Sequence, residues 1–347
     1  MNVLILTNMP EDPSKPYLGQ FVRDQYKELK GSRFCTVDYY CMKVMTSRIT
    51  SKFKYIIFFM SFIKHIILKR KRYDIIHIHF FYPTIILALT YKLFRNTKCK
   101  LVVTFHGSDI YHYSPPSKVY RLATRFIDYP IFVSRELMKR FFQPVTNYAI
   151  LSAGISNDFY QKRTFDRDID ILFVGTLDKN KGTDRLISLL KQLKKPMKVT
   201  VVGCGEYHSA LSSLRSVHDV KLLGSMKSSE LAIIYSRSKI LLNLSRNESF
   251  GLVLTEAMAS GCIVIATSTD GAKAQITNNS GFIIDSENSE NALINSVEKT
   301  VLKALALNDT QRLNINNNAL KLSKIHSIKN VSSEIEKIYI TLTHGGR

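Results

Sequence analysis

The chain has 347 residues, 45% of them hydrophobic and 22% charged, proportions ordinary for a globular protein. Its length exceeds one domain of roughly 100–200 residues, so two domains are expected. A formal charge of +21, from 49 Lys and Arg against 28 Asp and Glu, calls for an anionic partner: a membrane surface, a nucleic acid or a phosphorylated substrate. That charge is uneven, since residues 1–160 hold 24 basic against 10 acidic side chains and the remainder 25 against 18. Cys35, Cys41, Cys99, Cys204 and Cys262 form no CxxC pair and no Cys/His ligand spacing, which suits reduced thiols in a cytosolic protein.

Short apolar runs alternate with longer helical stretches, the pattern of parallel-sheet α/β domains. Asn2 to Thr7 reads as a strand, too short before Asn8 for a signal peptide. A helix follows from about Gly19 to Lys30, then a strand over Thr36 to Cys41. Ser51 to Arg72 (SKFKYIIFFMSFIKHIILKRKR) is expected to form the helix entering the next strand. Its most apolar window, Tyr55 to Leu68, carries Lys64 and His65 and falls short of the ~20 apolar residues that a spanning helix needs. Phe53, Ile56, Ile57, Met60, Ile63 and Ile67 can form one stripe at helical spacing, expected to pack on the sheet. Phe58, Phe59 and Phe62 then lie off the stripe beside Lys54, Lys64 and the run Lys69 to Arg72. Either neighbouring elements bury them, or they insert between lipid headgroups while the cations attract anionic lipid.

Strands are expected over Asp74 to Phe80, Lys100 to Phe105 and Tyr129 to Ser134, with helices over Thr84 to Phe94 and from Arg135. The polar run Gln161 to Asp168 separates this series from a second, with strands at Ile169 to Val174, Lys198 to Val202, Lys221 to Leu223, Ile240 to Leu244 and Cys262 to Thr267. The expected domains are residues 1–155 and 156–330, followed by a C-terminal helix and tail over 331–347.

The most informative segment is Glu248-Ser249-Phe250-Gly251-Leu252-Val253-Leu254-Thr255-Glu256-Ala257-Met258-Ala259-Ser260-Gly261. A helix is expected near Phe250, with Ser249 as N-cap and Gly261 just past its end. Such a helix start offers N–H groups and a positive dipole end to a phosphate, and Gly251 lets a ligand approach the backbone. Glu248 and Glu256 would stand about 12 Å apart along a helix, too far for a glycosidase pair. They could grip opposite ends of an elongated ligand, or be plain surface glutamates.

Glu-x7-Glu in this context resembles the family 4 glycosyltransferases, which have the GT-B fold. The resemblance extends over most of the chain, through Tyr17 to Gln25, Asp74 to His79, Val103 to Asp109, Val133-Ser134-Arg135, Phe173-Val174-Gly175, Lys181-Gly182, Val202 to Gly205 and Leu223-Gly224-Ser225, in that order. It implies two Rossmann-like domains facing each other across a cleft, with the C-terminal helix returning to the first. It also implies retaining, metal-independent transfer of a hexose or N-acetylhexosamine from a UDP- or GDP-sugar, without a cofactor. The acceptor implied is a lipid-linked saccharide for lipopolysaccharide, O-antigen or capsule, at the inner face of the cell membrane.

The resemblance carries roles to particular residues. Glu256 would bind the ribose hydroxyls, Glu248 the transferred sugar, and the N–H groups of Phe250, Gly251 and Leu252 the sugar and diphosphate. Lys181 would neutralise the departing diphosphate. Gly19 would let the first-domain loop close over the phosphates, and turns at Gly203 and Ser225 would hold the base. His106 would contact the donor sugar beside the bond being broken, and Asp109 would meet the acceptor. His77 and His79 share one strand face and are taken as structural or cleft-lining, with no third metal ligand in view.

Two departures stand out: Thr176 where the family usually has Arg, with Lys179 nearby, and Ala153-Gly154-Ile155-Ser156 where it usually has Asn-Gly-Ile/Val-Asp. An inactive relative acting as a binding module is therefore an alternative. So is a nucleic-acid-binding protein, on charge alone, although recognition motifs are absent. A dinucleotide-dependent oxidoreductase would need GxGxxG after the first strand, where Asn8 to Pro16 stands instead.

Overall fold

The alternation of apolar runs and helical stretches yields two six-stranded parallel sheets, ordered β2-β1-β3-β4-β5-β6 and β12-β11-β10-β7-β8-β9. The computed structural model describes residues 1–12, 15, 17–44, 53–161, 163, 165–285 and 289–344. The chain divides into two units, residues 1–154 with 328 onward, and residues 155–327.

The first unit runs β1 (Asn2–Thr7), α1 (Gln20–Lys30), β2 (Thr36–Cys41), α2 (Lys54–Phe62), β3 (Ile75–His79), α3 (Phe81–Phe94), β4 (Lys100–Phe105), α4 (Ser108–Tyr111), α5 (Lys118–Thr124), β5 (Tyr129–Phe132), α6 (Arg135–Lys139) and β6 (Ala149–Ile150). Val3 to Leu6 are fully buried because helices cover both faces of a parallel sheet. Successive residues of β2 show the two layers: Tyr39 stacks on Tyr26 of α1, and Tyr40 on Phe58 of α2.

The second unit runs β7 (Ile169–Val174), α7 (Thr183–Gln192), β8 (Lys198–Val202), α8 (His208–Ser212), β9 (Asp219–Leu222), α9 (Ser228–Arg237), β10 (Ser238–Asn243), α10 (Leu252–Ala259), β11 (Ile263–Thr267), α11 (Asp270–Gln275), β12 (Phe282–Ile284), α12 (Glu290–Leu305) and α13 (Asp309–Ile325). The short strands β6 and β12 were not expected. The last helix, α14 (Ile328–His344), returns to the first unit, where Val331, Ile335 and Tyr339 share a core with Val22 and Leu29 of α1.

Helix α2 corrects one sequence expectation. Ser51 and Lys52 lie outside the described residues, and the helix ends in a π-helical turn over Ile63–Ile67. Its buried face is Phe58, Phe62 and Ile66, whereas Phe53, Ile56 and Met60 are exposed. The segment is apolar almost all round, so periodicity alone does not choose a face. Tyr40 chooses it, stacking on Phe58, meeting Phe62 edge-on and donating its hydroxyl to Ser61 at 2.8 Å. Among the described residues, no helix is long and apolar enough to cross a membrane.

Candidate active site

In the second unit, β7, β8 and β9 end side by side in turns that require glycine. The Gly203 N–H donates to the Gly224 carbonyl at 2.7 Å, and the Gly175 N–H to the Val202 carbonyl at 3.0 Å. Gly203 has φ +142°, and a Cβ there would sit 1.8 Å from the Gly175 carbonyl oxygen. Backbone therefore forms this rim of the sheet, where ligands of open α/β sheets bind. Ser225 follows Gly224, with its Oγ 3.6 Å from the exposed Cys204 Sγ.

Two loops are fastened together beside these turns. The Arg246 N–H donates to the Asn180 carbonyl at 2.7 Å. Its guanidinium reaches the Lys179 carbonyl at 2.5 Å and both carboxylate oxygens of Asp184 at 2.8 Å. This fastening sets Lys181 Nζ 2.5 Å from Glu248 Oε2, with the two side chains 28% and 14% exposed. Gly182 opens α7 at φ +78°, and a Cβ would lie 2.1 Å from the Leu244 carbonyl oxygen. Gly182→Ala is accordingly expected to cost about 2–5 kcal/mol, from left-handed strain and overpacking together, read as a lower thermal midpoint.

The Glu-x7-Glu segment differs from expectation at its start. Gly251, at φ +81°, is the N-cap rather than Ser249, and α10 begins at Leu252. Glu248, Ser249 and Phe250 thus precede the helix, so the 12 Å helical separation of the two glutamates does not apply. Gln275, 4% exposed, holds the loop in this path. Its amide donates to the Phe250 carbonyl and lies 3.3 Å from the Gly251 carbonyl, while its oxygen accepts from Thr255. The Gly271 N–H donates to the Glu248 carbonyl at 2.9 Å, and the buried Phe250 ring meets His326 edge-on at 5.0 Å. Leu252 and Val253, in the first turn, point N–H groups out of the helix end. Glu256, on α10, accepts from the Tyr235 hydroxyl at 3.0 Å. Gly261 ends the segment at φ +75°, as expected. Thr176 is exposed, and its carbonyl accepts the Asp178 N–H at 2.9 Å.

In the first unit, His106 follows β4 and lies among rings: Phe80 at 4.7 Å, Phe21 at 4.9 Å and His79 at 5.2 Å between centroids. Phe21 belongs to α1, whose N-cap is Gly19 at φ +66°, so the Gly19 turn and His106 are brought together. His79 Nδ1 is 3.0 Å from His106 Nε2, and burial pushes both imidazoles well below the usual histidine range. His77 is enclosed by the Tyr339 hydroxyl at 2.6 Å and Thr104 Oγ1 at 2.7 Å. Among the described residues no three His, Cys, Asp or Glu side chains are grouped to hold a metal ion.

Asp109, suggested above as an acceptor contact, braces the loop. It is 3% exposed, and its two oxygens accept the N–H groups of His106 and Phe81, each at 2.7 Å. Burial raises its pKa to about 6. Phe80, held at φ +64° between β3 and α3, is a strained non-glycine residue of the kind found at functional sites. Sequence reasoning missed Phe80, Gln275, Tyr235 and the Arg246–Asp184 pair. None belongs to a motif, and Arg246 lies 62 positions from its partner.

Comparison with known proteins fits this arrangement. The family model described as Glycosyltransferase Family 4 matches residues 21–148, and Glycosyl transferases group 1 matches 155–321. An uncharacterized glycosyltransferase of Methanocaldococcus jannaschii is 25% identical over 285 residues, covering 80% of this chain and 78% of that one. Among solved structures, sucrose-phosphate synthase from Thermosynechococcus elongatus superposes with a TM-score of 0.75 at 16% identity, over 99% of each chain. Anabaena HepE, in complex with UDP and glucose, gives 0.72 at 15% identity, over 98% of this chain and 100% of that one. Two family models matching in order, on a pair of Rossmann-like sheets, make this chain a nucleotide-sugar glycosyltransferase of the GT-B, family 4 type.

Proposed function

We propose that the chain transfers a hexose or N-acetylhexosamine from a UDP- or GDP-sugar, with retention, to a lipid-linked saccharide in surface polysaccharide synthesis. The observation that carries this reading is the Lys181–Glu248 pair, set beside the glycine turns at the strand ends. A cation held in place there can take the charge that develops on a leaving diphosphate. The first-turn N–H groups of α10, at Leu252, with Gly251 and Phe250 before it, supplement that charge. Glu248 accepts hydroxyls of the sugar, and Glu256, steered by Tyr235, accepts those of the ribose. Gly203 and Ser225 hold the base through backbone and hydroxyl groups. In the first unit, His106 acts on the sugar as a neutral imidazole, and Gly19 supplies a turn for the phosphates. The UDP and glucose bound by HepE support a UDP-hexose donor.

In this reading retention comes from reaction on one face of the sugar, where the leaving phosphate takes the acceptor proton, and the pairing of Glu248 with Lys181 supports a holding role for that carboxylate. The basic composition supports an acceptor at the anionic inner face of the membrane. A panel of UDP- and GDP-sugars tested by thermal shift checks the donor. A ligand at 100 times its Kd adds about 2.7 kcal/mol of apparent stability, and no shift with any of them would contradict the reading. Turnover is expected to survive EDTA, because Lys181 and backbone N–H groups carry the diphosphate charge. Complete loss on chelation, restored by Mg²⁺ or Mn²⁺, would assign that charge to a metal.

A further inference from the structure

We propose that the outer surface of the layer formed by α2, α3 and α5 is a docking face for an anionic lipid bilayer. The proposal deepens the lipid-linked acceptor reading, and rests on it for the purpose of such docking. These helices cover one side of the first sheet, opposite α1 and α14. Phe81 of α3 packs on Phe105 of β4 and edge-on against Tyr120 of α5. Helix α3 also touches the π-helical turn that continues α2.

Each helix turns a large apolar face outward as well as inward. On α2, Phe53, Ile56 and Met60 recur at positions i, i+3 and i+7, with 51%, 62% and 59% of their surface exposed. On α3, Leu93 and Phe94 are 70% and 68% exposed, and Ile86 lies two turns earlier on the same side as Leu93. On α5 and just beyond it, Val119, Leu122 and Phe126 repeat the i, i+3, i+7 spacing. With Tyr55 and Leu68, these make up half of the large apolar side chains exposed among the described residues. Scattered exposed apolar residues are ordinary on a protein surface; their concentration on one layer marks an interaction surface.

Charge selects the occupant. Residues 53–126 contain 13 Lys and Arg and only two carboxylates, Asp74 and Asp109; from outside this stretch, Asp38 pairs with Lys71, and Asp128 with Lys92 and Lys100. Asp109 is buried, and Asp74 accepts the Asn2 N–H at 2.8 Å. Lys54, Lys64, Arg121 and Arg125 lie among or beside the outward apolar positions. Apolar side chains interleaved with an excess of cations match an acyl-chain boundary beneath anionic headgroups. The apolar members are largely aliphatic, which suits acyl chains better than the base stacking of a nucleic acid.

The test is co-sedimentation of the full chain with vesicles of phosphatidylcholine alone and of an equal mixture with phosphatidylglycerol. The wild type should bind only the anionic vesicles, and less as salt rises. Arg121→Gln with Arg125→Gln should weaken partitioning by about 30-fold, at about 1 kcal/mol for each cation. Leu122→Ser with Phe126→Ser, and separately Ile56→Ser with Met60→Ser, should each weaken it by at least about tenfold. Failure of the wild type to bind, or unchanged partitioning in all three variants, overturns the proposal. So does a self-associated state in sedimentation velocity that these variants dissolve. Sugar-nucleotide turnover with a soluble acceptor is measured alongside and should stay at the wild-type level in every variant. Lost vesicle binding with retained turnover in the wild type removes this face alone. Vesicle binding without any donor turnover leaves the face and removes the transferase reading.

Discussion

Lys181→Ala is expected to lower turnover by about 10²–10³-fold, the cost of removing one preorganised group that meets developing charge. Its Nζ lies 2.5 Å from Glu248 Oε2 with both side chains largely shielded, and Asp178 fixes its backbone by accepting the Lys181 N–H at 2.8 Å. The alanine variant loses the cation and also leaves the Glu248 carboxylate facing the donor phosphates with no counter-charge beside it. Weaker donor binding should accompany the slower step, so both kcat and kcat/KM fall. Glu248→Gln separates the two effects. It removes the repulsion and keeps a hydrogen-bonding group for the sugar, so phosphate affinity should hold or rise while turnover drops. Steady-state kinetics with UDP titration by calorimetry reads both. A folded Lys181→Ala variant with wild-type turnover would sink the assigned role. Glu256→Ala should act differently, raising KM for the donor by about tenfold with the fold intact, since a hydrogen bond to a charged group contributes about 1.5–3 kcal/mol.

The strands were the most legible part of this chain. Runs such as Lys100 to Phe105 and Ile169 to Val174 are short, β-branched or aromatic, and bounded by breakers, and the strands β4 and β7 occupy those residues. Beginnings and faces of helices were less legible because they depend on tertiary partners. Ser249 has the chemistry of an N-cap, yet Gln275, from beyond β11, pulls the Phe250 carbonyl inward and moves the helix start to Gly251. The face of α2 was likewise settled by Tyr40 of β2, since the helix's own sequence offers apolar residues in every direction. Among candidate site residues, motif context singles out Lys181, Glu248, Glu256 and His106 by type. Their mutual arrangement was not, because the Lys181–Glu248 contact spans 67 positions and depends on Arg246 fastening two loops. Asp109 shows the converse. Its place in the HGSD run suggested a ligand contact, whereas burial and two backbone N–H donors give it a bracing role.

The protein should lose stability steeply below neutral pH, with the first unit failing first. His77 and His79 are 0% and 1% exposed, and burial holds the His77 pKa down to about 3 and that of His79 well below its ordinary value. Both folded-state values lie under the unfolded value of about 6.5. The unfolded chain therefore takes up these two protons first, and stability that is complete above pH 6.5 is lost as pH falls. These groups, with His106 likewise held down to about 3 by burial, each contribute up to about 1.4 kcal/mol per pH unit below pH 6.5. Asp109 works in the opposite direction. Its folded pKa of about 6 exceeds the unfolded value of about 3.9, so protonation of this buried carboxyl returns roughly 2 kcal/mol over the same range. Three histidines outweigh one carboxyl, so the melting temperature should fall by several degrees or more between pH 7 and pH 4.5, on the order of 2–4 °C for each kcal/mol lost. His77→Gln tests the cause. Glutamine cannot take up the proton but can still meet the Tyr339 hydroxyl and Thr104, the two partners of His77. Whatever the substitution costs at pH 7, the variant's melting temperature should fall with pH clearly less steeply than the wild type's. Calorimetric scans across pH 4.5 to 7 read this slope directly. Equal slopes in the two proteins would mean that acid lability arises elsewhere in the chain.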